Sequence, residues 1–538
     1  MSASIGLQTH LPILPVLLPA FSAMALLLIG DHGGGTSSHG SRRLLWARWI
    51  ALGSAALGLA LAGVLAFEVH AGSHAAAPFV YRVGDWPAPF GIVLVVDRLA
   101  ALMLVLTACL ALPVLWYASG GWDSHGRHFH ALFQFQLMGL NGAFVTGDLF
   151  NLFVFFEVLL IASYVLVVHG QGRERFRVGL QYVVLNLAAS ALFLVGVALI
   201  YALTGTLNLA DLALRVPKVA GPEAAVLQAA ALLLLVVFGF KAALMPLAMW
   251  LPATYAAASA PVAALFAIMT KVGVYAIVRV HGVVFGADAG ASAYTVQPLL
   301  LPLALVTSVV AVLGALSAHS LPRMVAWLTV SSVGTVLAGI GLFGAAAWSA
   351  AFYYMANSTL VIAGLFLLAE LVAAQRGDVA GRLVPASELA QPALLGTMLL
   401  LGAASMAGLP PLPGFIGKLM VLEAASPHPW AVAVWAVVLG VGFVTLIGLA
   451  RAGSILFWAV RDEHSDTGAS GASPRMLAAT LSLLVASIAM SVFAAPLKRY
   501  TDAAAAQLLD REAYARAVLG AERETVRPYR ATPPEPPR

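Results

Sequence analysis

Residues Phe238–Arg279 read FGFKAALMPLAMWLPATYAAASAPVAALFAIMTKVGVYAIVR, with Lys241 and Lys271 set in an almost wholly apolar run that holds no acid. A cation at the centre of a bilayer costs about 2.5–3.5 kcal/mol on insertion scales. The same run carries Pro246, Pro252 and Pro261, and each proline removes an amide donor from the helical ladder. Broken backbone at membrane depth is tolerated only where it is buried in protein or lines a wet cavity. The stretch therefore reads as a discontinuous helix inside a membrane bundle, holding a cation where it breaks. A second such stretch, GLPPLPGFIGK over residues 408–418, places Pro410, Pro411 and Pro413 ahead of Lys418. Paired interruptions, one in each half of a chain, point to an ion site near the midplane between inverted repeats; the plain alternative is a packing kink at each.

Composition agrees with a membrane bundle. The 538 residues are 61% hydrophobic and 10% charged, where soluble domains carry about a quarter charged. Apolar runs begin near Leu11, Leu44, Ile92, Ala131, Leu149, Val178, Ala225, Pro261, Leu299, Leu321, Trp348, Pro392, Trp430 and Met476. The expected fold is all-α and polytopic, with about 14 transmembrane helices of about 20 residues each. The first run holds three prolines and no preceding Lys or Arg, so it lacks the basic start of a cleavable signal and is expected to stay as helix one. Basic residues concentrate in the loops after odd-numbered helices, which keeps those loops cytoplasmic and puts both termini outside.

Several functions are excluded. The net charge of +5 is scattered and forms no basic face, against nucleic-acid binding. Cys109 is the sole cysteine, so the chain can form no internal disulfide and lacks the thiolates of an iron–sulfur or thiolate metal site. No cofactor, metal or redox centre is expected. GIGLFG at 339–344 fits a nucleotide-binding pattern literally, but it lies in an apolar helix with no preceding strand and reads as helix packing. Asp97, Arg98 and Arg279 are expected to anchor helix ends at the interface, and His281 and His319 to occupy loop or cap positions. The segments HGGGTSSHGSRR (32–43) and RDEHSDTGASGASPR (461–475) read as linkers, TDAAAAQLLDREAYARAVLG (501–520) as amphipathic, and the Pro-rich RPYRATPPEPPR (527–538) as disordered.

The charges inside the apolar runs carry the functional reading. Three of the five lysines, Lys241, Lys271 and Lys418, sit there, and Glu157 falls well inside LFNLFVFFEVLLIASYVLVV (149–168). Glu157 is the natural counter-ion for one of them. At an effective dielectric of 20, a pair 4 Å apart interacts by about 4 kcal/mol, so parting it changes the lysine's hold on its proton about a thousandfold. A Glu157 that swings toward and away from Lys241 would thus gate a relay running from Lys241 to Lys271 and Lys418. Asn141, Asn186, Thr254, Ser259, Thr270, Ser331, Ser332, Asn357 and Ser358 are polar groups that could carry water between them. The alternatives are lysines that snorkel to an interface and a purely structural ion pair.

GDLFNLFVFFEVLLIASYVLVVHG (147–170), YALTGTLNLADLA (201–213), the opening stretch, GLPPLPGFIGKLMVLEAA (408–425) and the ending QLLDREAYARAVLG (507–520) together resemble the D-type subunits of the multi-subunit Na+/H+ antiporters called Mrp, Mnh or Pha. That family is similar to the antiporter-like membrane subunits of respiratory complex I. The resemblance implies two inverted five-helix repeats, helices four to eight (131–285) and nine to thirteen (286–460), with helices seven and twelve broken. They are flanked by helices one to three (1–130) and by a loop, helix fourteen and tail (461–538). Helix breaks are expected at Pro246, Pro252, Pro410 and Pro411. The resemblance also implies roles: Glu157 and Lys241 as paired acid and base, Lys271 as connector, Lys418 as outlet. The implied function is a proton-translocating subunit of a Na+/H+ antiporter in the bacterial inner membrane, acting on H+ and Na+ and assembled with subunits of A, B, C, E, F and G type. The alternative is a proton-pumping membrane-arm subunit of an NADH-quinone or hydrogenase-type oxidoreductase. The chain reads WLPATY at 250–255, where complex I subunits usually read WLPDAH, which favours the antiporter.

Overall fold

The computed structural model describes residues 6–30, 38–459 and 471–520, most of them helical. Residues 32–37 and 461–470 of the two linker stretches and the Pro-rich end lie outside the described residues, whereas residues 38–43, expected as linker, are helical and open the second helix. Helices α1 (Leu14–Ile29) and α2 (Ser38–His70) come first. An antiparallel hairpin follows, β1 (Phe79–Arg82) against β2 (Val93–Val96), with Phe79 opposite Val96. The apolar run expected to open helix three near Ile92 therefore starts as a strand, since VLVV is rich in β-branched residues. Helix α3 (Arg98–Ala118) begins only after Asp97, whose carboxylate accepts from the Ala100 amide at 2.9 Å as an N-cap.

Next in order are α4 (Phe129–Val145), α5 (Leu149–Val167), α6 (Arg173–Thr204), α7 (Leu209–Arg215) and α8 (Pro222–Ala242). Asp148 caps α5 and Asn208 caps α7, each accepting from two amides of the first turn. Then come α9 (Trp250–Ala257), α10 (Ala260–Ile277) running into a π-helical turn over Val278–Val284, α11 (Gln297–Leu316), α12 (Leu321–Gly341) and α13 (Ala345–Ala374). The second proline-rich region separates α14 (Pro392–Ala407) from α15 (Pro413–Ala425), and α16 (Ala431–Phe457), α17 (Pro474–Val492), α18 (Ala494–Leu509) and α19 (Arg511–Leu519) complete the chain.

Among the described residues, twelve helical stretches are long and apolar enough to cross a membrane. The runs beginning near Ala131 and Pro392 form α4 and α14, of 17 and 16 residues, shorter than the roughly 20 that a full crossing takes. Burial grades from the centre outward. Every residue of α10 is buried, and nearly every residue of α12 and α13, whereas Leu28, Trp49, Val432 and Val492 expose most of their surface. Such an apolar exterior is stable in hydrocarbon, which solvates it as well as another Leu does.

Small residues let the central helices approach closely. A Cβ on Gly273 of α10 would lie 2.5 Å from the Ala242 amide nitrogen and 2.7 Å from the Phe238 carbonyl oxygen. The backbones of α8 and α10 therefore touch beside Lys241 and Lys271. Gly339 and Gly341 of GIGLFG face Ala351 and Leu301 closely, which is the packing role expected of them. The amphipathic tail docks: the Tyr500 hydroxyl donates to the Arg98 carbonyl at 2.9 Å, and the Arg98 amide donates to Gln507 at 3.0 Å.

Candidate functional site

The helix carrying Lys241 stops one residue later. Ala243 takes a left-handed φ of 62°, the Leu244 amide bonds back to the Gly239 carbonyl at 2.7 Å, and Pro246 follows through a cis bond. The loosened groups find side-chain partners, as buried backbone must. The Trp250 indole donates to the Phe240 carbonyl at 3.2 Å, and Thr307 of α11 accepts from the Met245 amide at 2.9 Å. Pro246 thus stands in the interruption. Pro252 instead lies in the first turn of α9, where a helix has no intrahelical use for the missing amide.

Lys241 is 8% exposed and its ammonium donates to Asn186 Oδ1 at 2.7 Å, 5.9 Å from the centroid of the Phe156 ring. Glu157, the residue after Phe156, accepts from the Ser190 hydroxyl. The expected direct pair of Glu157 with a lysine is not formed: among the described residues no ion pair joins Glu157 to any cation. Helix α6 packs against both α5 and α8, and its Asn186 and Ser190, four residues apart on one face, take the two charged groups separately.

Lys271 is fully buried on α10 and donates to the neighbouring Thr270 hydroxyl at 3.2 Å. A small cavity lined by Phe156, Asn186, Lys241, Trp250, Met269 and Val272 extends from the first lysine to the helix of the second. Lys418 reaches back from α15 to the end of α14, donating to the Met406 and Ala407 carbonyls at 2.9 Å each. Those carbonyls belong to the last turn of α14, whose acceptors are left over by the helix and carry its negative dipole end. Gly408 follows at φ 86°, and the cis Pro410–Pro411 bond lies between the two helices. The lysines are distributed over successive packed helices: α8 meets α10, α10 meets α13, and α13 meets α15. Asn357 of α13 accepts from Ser405 and Ser487 at 3.2 and 2.8 Å.

Several participants are not evident from sequence. Ser190 is one: its signal is the four-residue spacing from Asn186 within an apolar helix. Gly442 of α16 is another, because a Cβ there would lie 2.8 Å from the Ala407 carbonyl oxygen and 3.3 Å from Lys418 Nζ. Asp97 and Arg279, expected as separate interface anchors, form a buried ion pair at 2.5 Å, with the Tyr275 hydroxyl 2.8 Å from Arg279 Nε. His281, expected in a loop or cap, is fully buried in the π-helical turn, and among the described residues neither ring nitrogen has a hydrogen-bond partner. In the loop before α4, the fully buried Asp123 accepts from Arg48 at 2.6 and 2.8 Å and lies 3.0 Å from His130 Nε2. Burial pushes its carboxyl upward, but the hydrogen bonds from Arg48 and His130 outweigh this and hold it below the usual range.

A family model described as NADH:quinone oxidoreductase/Mrp antiporter, TM, matches residues 146–444, which contain all four ionisable residues of the candidate site. The chain belongs to this family. Within it, the chain is 40% identical over 96% of its length to the D-type subunit of a probable K+/H+ antiporter of Rhizobium meliloti, covering 98% of that protein. It is 37% identical over 95% of its length to the D-type subunit of the Na+/H+ antiporter of Alkalihalophilus pseudofirmus, covering all of it. Among solved structures, a chain of the Mrp complex from Dietzia sp. superposes with a TM-score of 0.82 at 28% identity, over 96% of this chain and 100% of that one.

Proposed function

We propose that this chain is the proton-conducting D-type subunit of a multi-subunit monovalent cation/proton antiporter, seated in the bacterial inner membrane with both termini on the periplasmic side. Its partners are subunits of A, B, C, E, F and G type, and its ions are H+ and Na+. Fourteen crossings arise when α4, and α14 together with α15, are added to the twelve long ones. Crossings four to eight and nine to thirteen are the two inverted repeats, with the seventh broken at Pro246 and the twelfth at Pro410 and Pro411.

The observation that carries the reading is the burial of Lys241, Lys271 and Lys418 with neutral hydrogen-bond partners. A buried ammonium that no carboxylate contacts is held less firmly in its charged form than a paired one, and intramembrane ionisable groups are functional by default. Protons enter at Glu157 and Lys241, pass Lys271 and leave by Lys418, with binding and release coupled to Na+ movement elsewhere in the assembly. The test is ΔpH-driven Na+ efflux from vesicles bearing the whole complex, with Glu157→Ala, Lys241→Ala and Lys418→Ala in turn. Each is expected to abolish exchange while the complex still assembles; efflux at the parental rate in all three refutes the relay. The family also includes oxidoreductase subunits, and co-purification of flavin or iron–sulfur proteins in place of small hydrophobic subunits would move this chain to that branch.

A further inference from the structure

The carboxylate of Glu157 and the ammonium of Lys241 each end on α6, at Ser190 and Asn186. Four helical residues rise about 6 Å, so the two charges are tied to opposite ends of a one-turn step. Both tethers are one-directional. Asn186 Nδ2 donates to the Tyr182 carbonyl at 2.7 Å, which leaves its Oδ1 turned to the lysine. The Ser190 hydroxyl has one donor hydrogen and donates it in a hydrogen bond to Glu157 Oε1. Each partner completes a hydrogen bond without supplying a charge.

We infer that Asn186 and Ser190 form a neutral spacer that holds Glu157 and Lys241 out of direct contact and thereby sets the pH at which the pair exchanges its proton. The inference rests on the relay reading and assigns these two as positioning residues within it. An ammonium touching a carboxylate keeps its proton, while one held by an amide oxygen gives it up more readily. The spacer fits a site that must load and unload rather than hold. Its neutral character matters because the titratable groups around the pair, Tyr164 on α5 beside Glu157, Tyr182 on α6 beside Asn186, Tyr255 on α9 against Trp250, and Lys271 and His281 on the α10 segment, include no second carboxylate to stand in for Glu157.

The test measures cation/proton exchange against pH in vesicles carrying the complete antiporter, with the amount of assembled complex determined for each variant. Asn186→Asp is nearly isosteric and brings a carboxylate against Lys241. Exchange is expected to fall at least tenfold at neutral pH, with its half-maximal point moved alkaline by about one unit or more, the low end of the effect of an adjacent opposite charge. Ser190→Ala frees Glu157 to close on Lys241 and is expected to move the profile the same way, while Ser190→Thr, which keeps the hydroxyl, restores it. A half-maximal point that stays put in Asn186→Asp overturns the spacer, even if the rate drops. If that happens while Glu157→Ala and Lys241→Ala abolish exchange, the spacer fails and the relay stands. If those two variants exchange at the parental rate, the relay itself is wrong.

Discussion

The two interrupted regions treat their lysines in opposite ways. At the first, Lys241 sits in the last turn of α8, yet its ammonium turns away from that helix end to a side-chain amide on α6, and the loosened carbonyl of Phe240 is taken by Trp250. At the second, Lys418 is itself the cap, bonded to two carbonyls at the end of α14. The first lysine is thus separable from the architecture around it, and the second is part of it. The proposed relay would then use two kinds of group: one whose partner can change, and one whose position is fixed by backbone.

A cation that does possess its anion sets the scale for this comparison. Arg48 and Asp123 form such a pair, with Asp123 fully buried. Asp123→Asn weakens the charge-assisted hydrogen bonds that the partly exposed Arg48 makes to this buried carboxylate and is expected to cost about 2–3 kcal/mol, read as loss of thermal stability of the purified complex. The folded carboxyl is held below its ordinary value, so its contribution is fully present above the unfolded value of about 3.9 and fades as pH falls through the folded one. The part of the difference between parent and variant that this carboxyl supplies should therefore shrink as pH falls below about 4.

Replacing the lysines of the proposed relay should separate the two regions more directly. Lys418→Met strands two helix-end carbonyls and is expected to lower stability by about 2 kcal/mol, since an unsatisfied buried acceptor costs about 1–3. Lys241→Met strands one buried acceptor, Asn186 Oδ1, rather than two, so the loss should be about half as large, about 1 kcal/mol. Exchange should vanish in both. Equal stability losses would erase the distinction between the two regions.

The sequence made the helical membrane bundle legible and singled out the two proline-bearing stretches and the four ionisable residues on which the proposed relay rests, because charge and proline in an apolar run are conspicuous against hydrocarbon. What it hid follows from geometry. Glu157 and Lys241 look like a pair in one dimension, but which helix packs between them depends on tertiary contacts, and Ser190 is chemically ordinary. Gly442 is invisible for the same reason: its role is to leave room for an ammonium and a carbonyl from distant segments. Asp97 and Arg279 read as two interface residues because 182 positions separate them. The hairpin is hidden because an apolar β-branched run reads as helix or strand alike.

Glycine use at the two helix ends gives the next contrast. Gly408 has φ 86°, and a Cβ there would come within 2.9 Å of Lys418 Cδ. Gly408→Ala combines a left-handed alanine, about 1–2 kcal/mol, with pressure on the capping lysine. A loss of about 2 kcal/mol and a matching fall in exchange are expected, measured on the same vesicles as the lysine variants.

The smallest effect should come from the reciprocal change. Ala243 already holds the left-handed conformation at the end of α8, with its side chain fully buried. Ala243→Gly relieves about 1–2 kcal/mol of backbone strain, but it gives up a buried methyl, about 0.8 kcal/mol, and enlarges the freedom of the unfolded chain by about 0.5–1 kcal/mol. These offset, and stability should change by less than about 1 kcal/mol, with exchange unaffected because the Lys241 ammonium bonds to α6 and not to this turn. If Ala243→Gly instead impaired exchange as Gly408→Ala is expected to, the first helix end would be positioning its lysine after all, and the two regions would work by one principle rather than two.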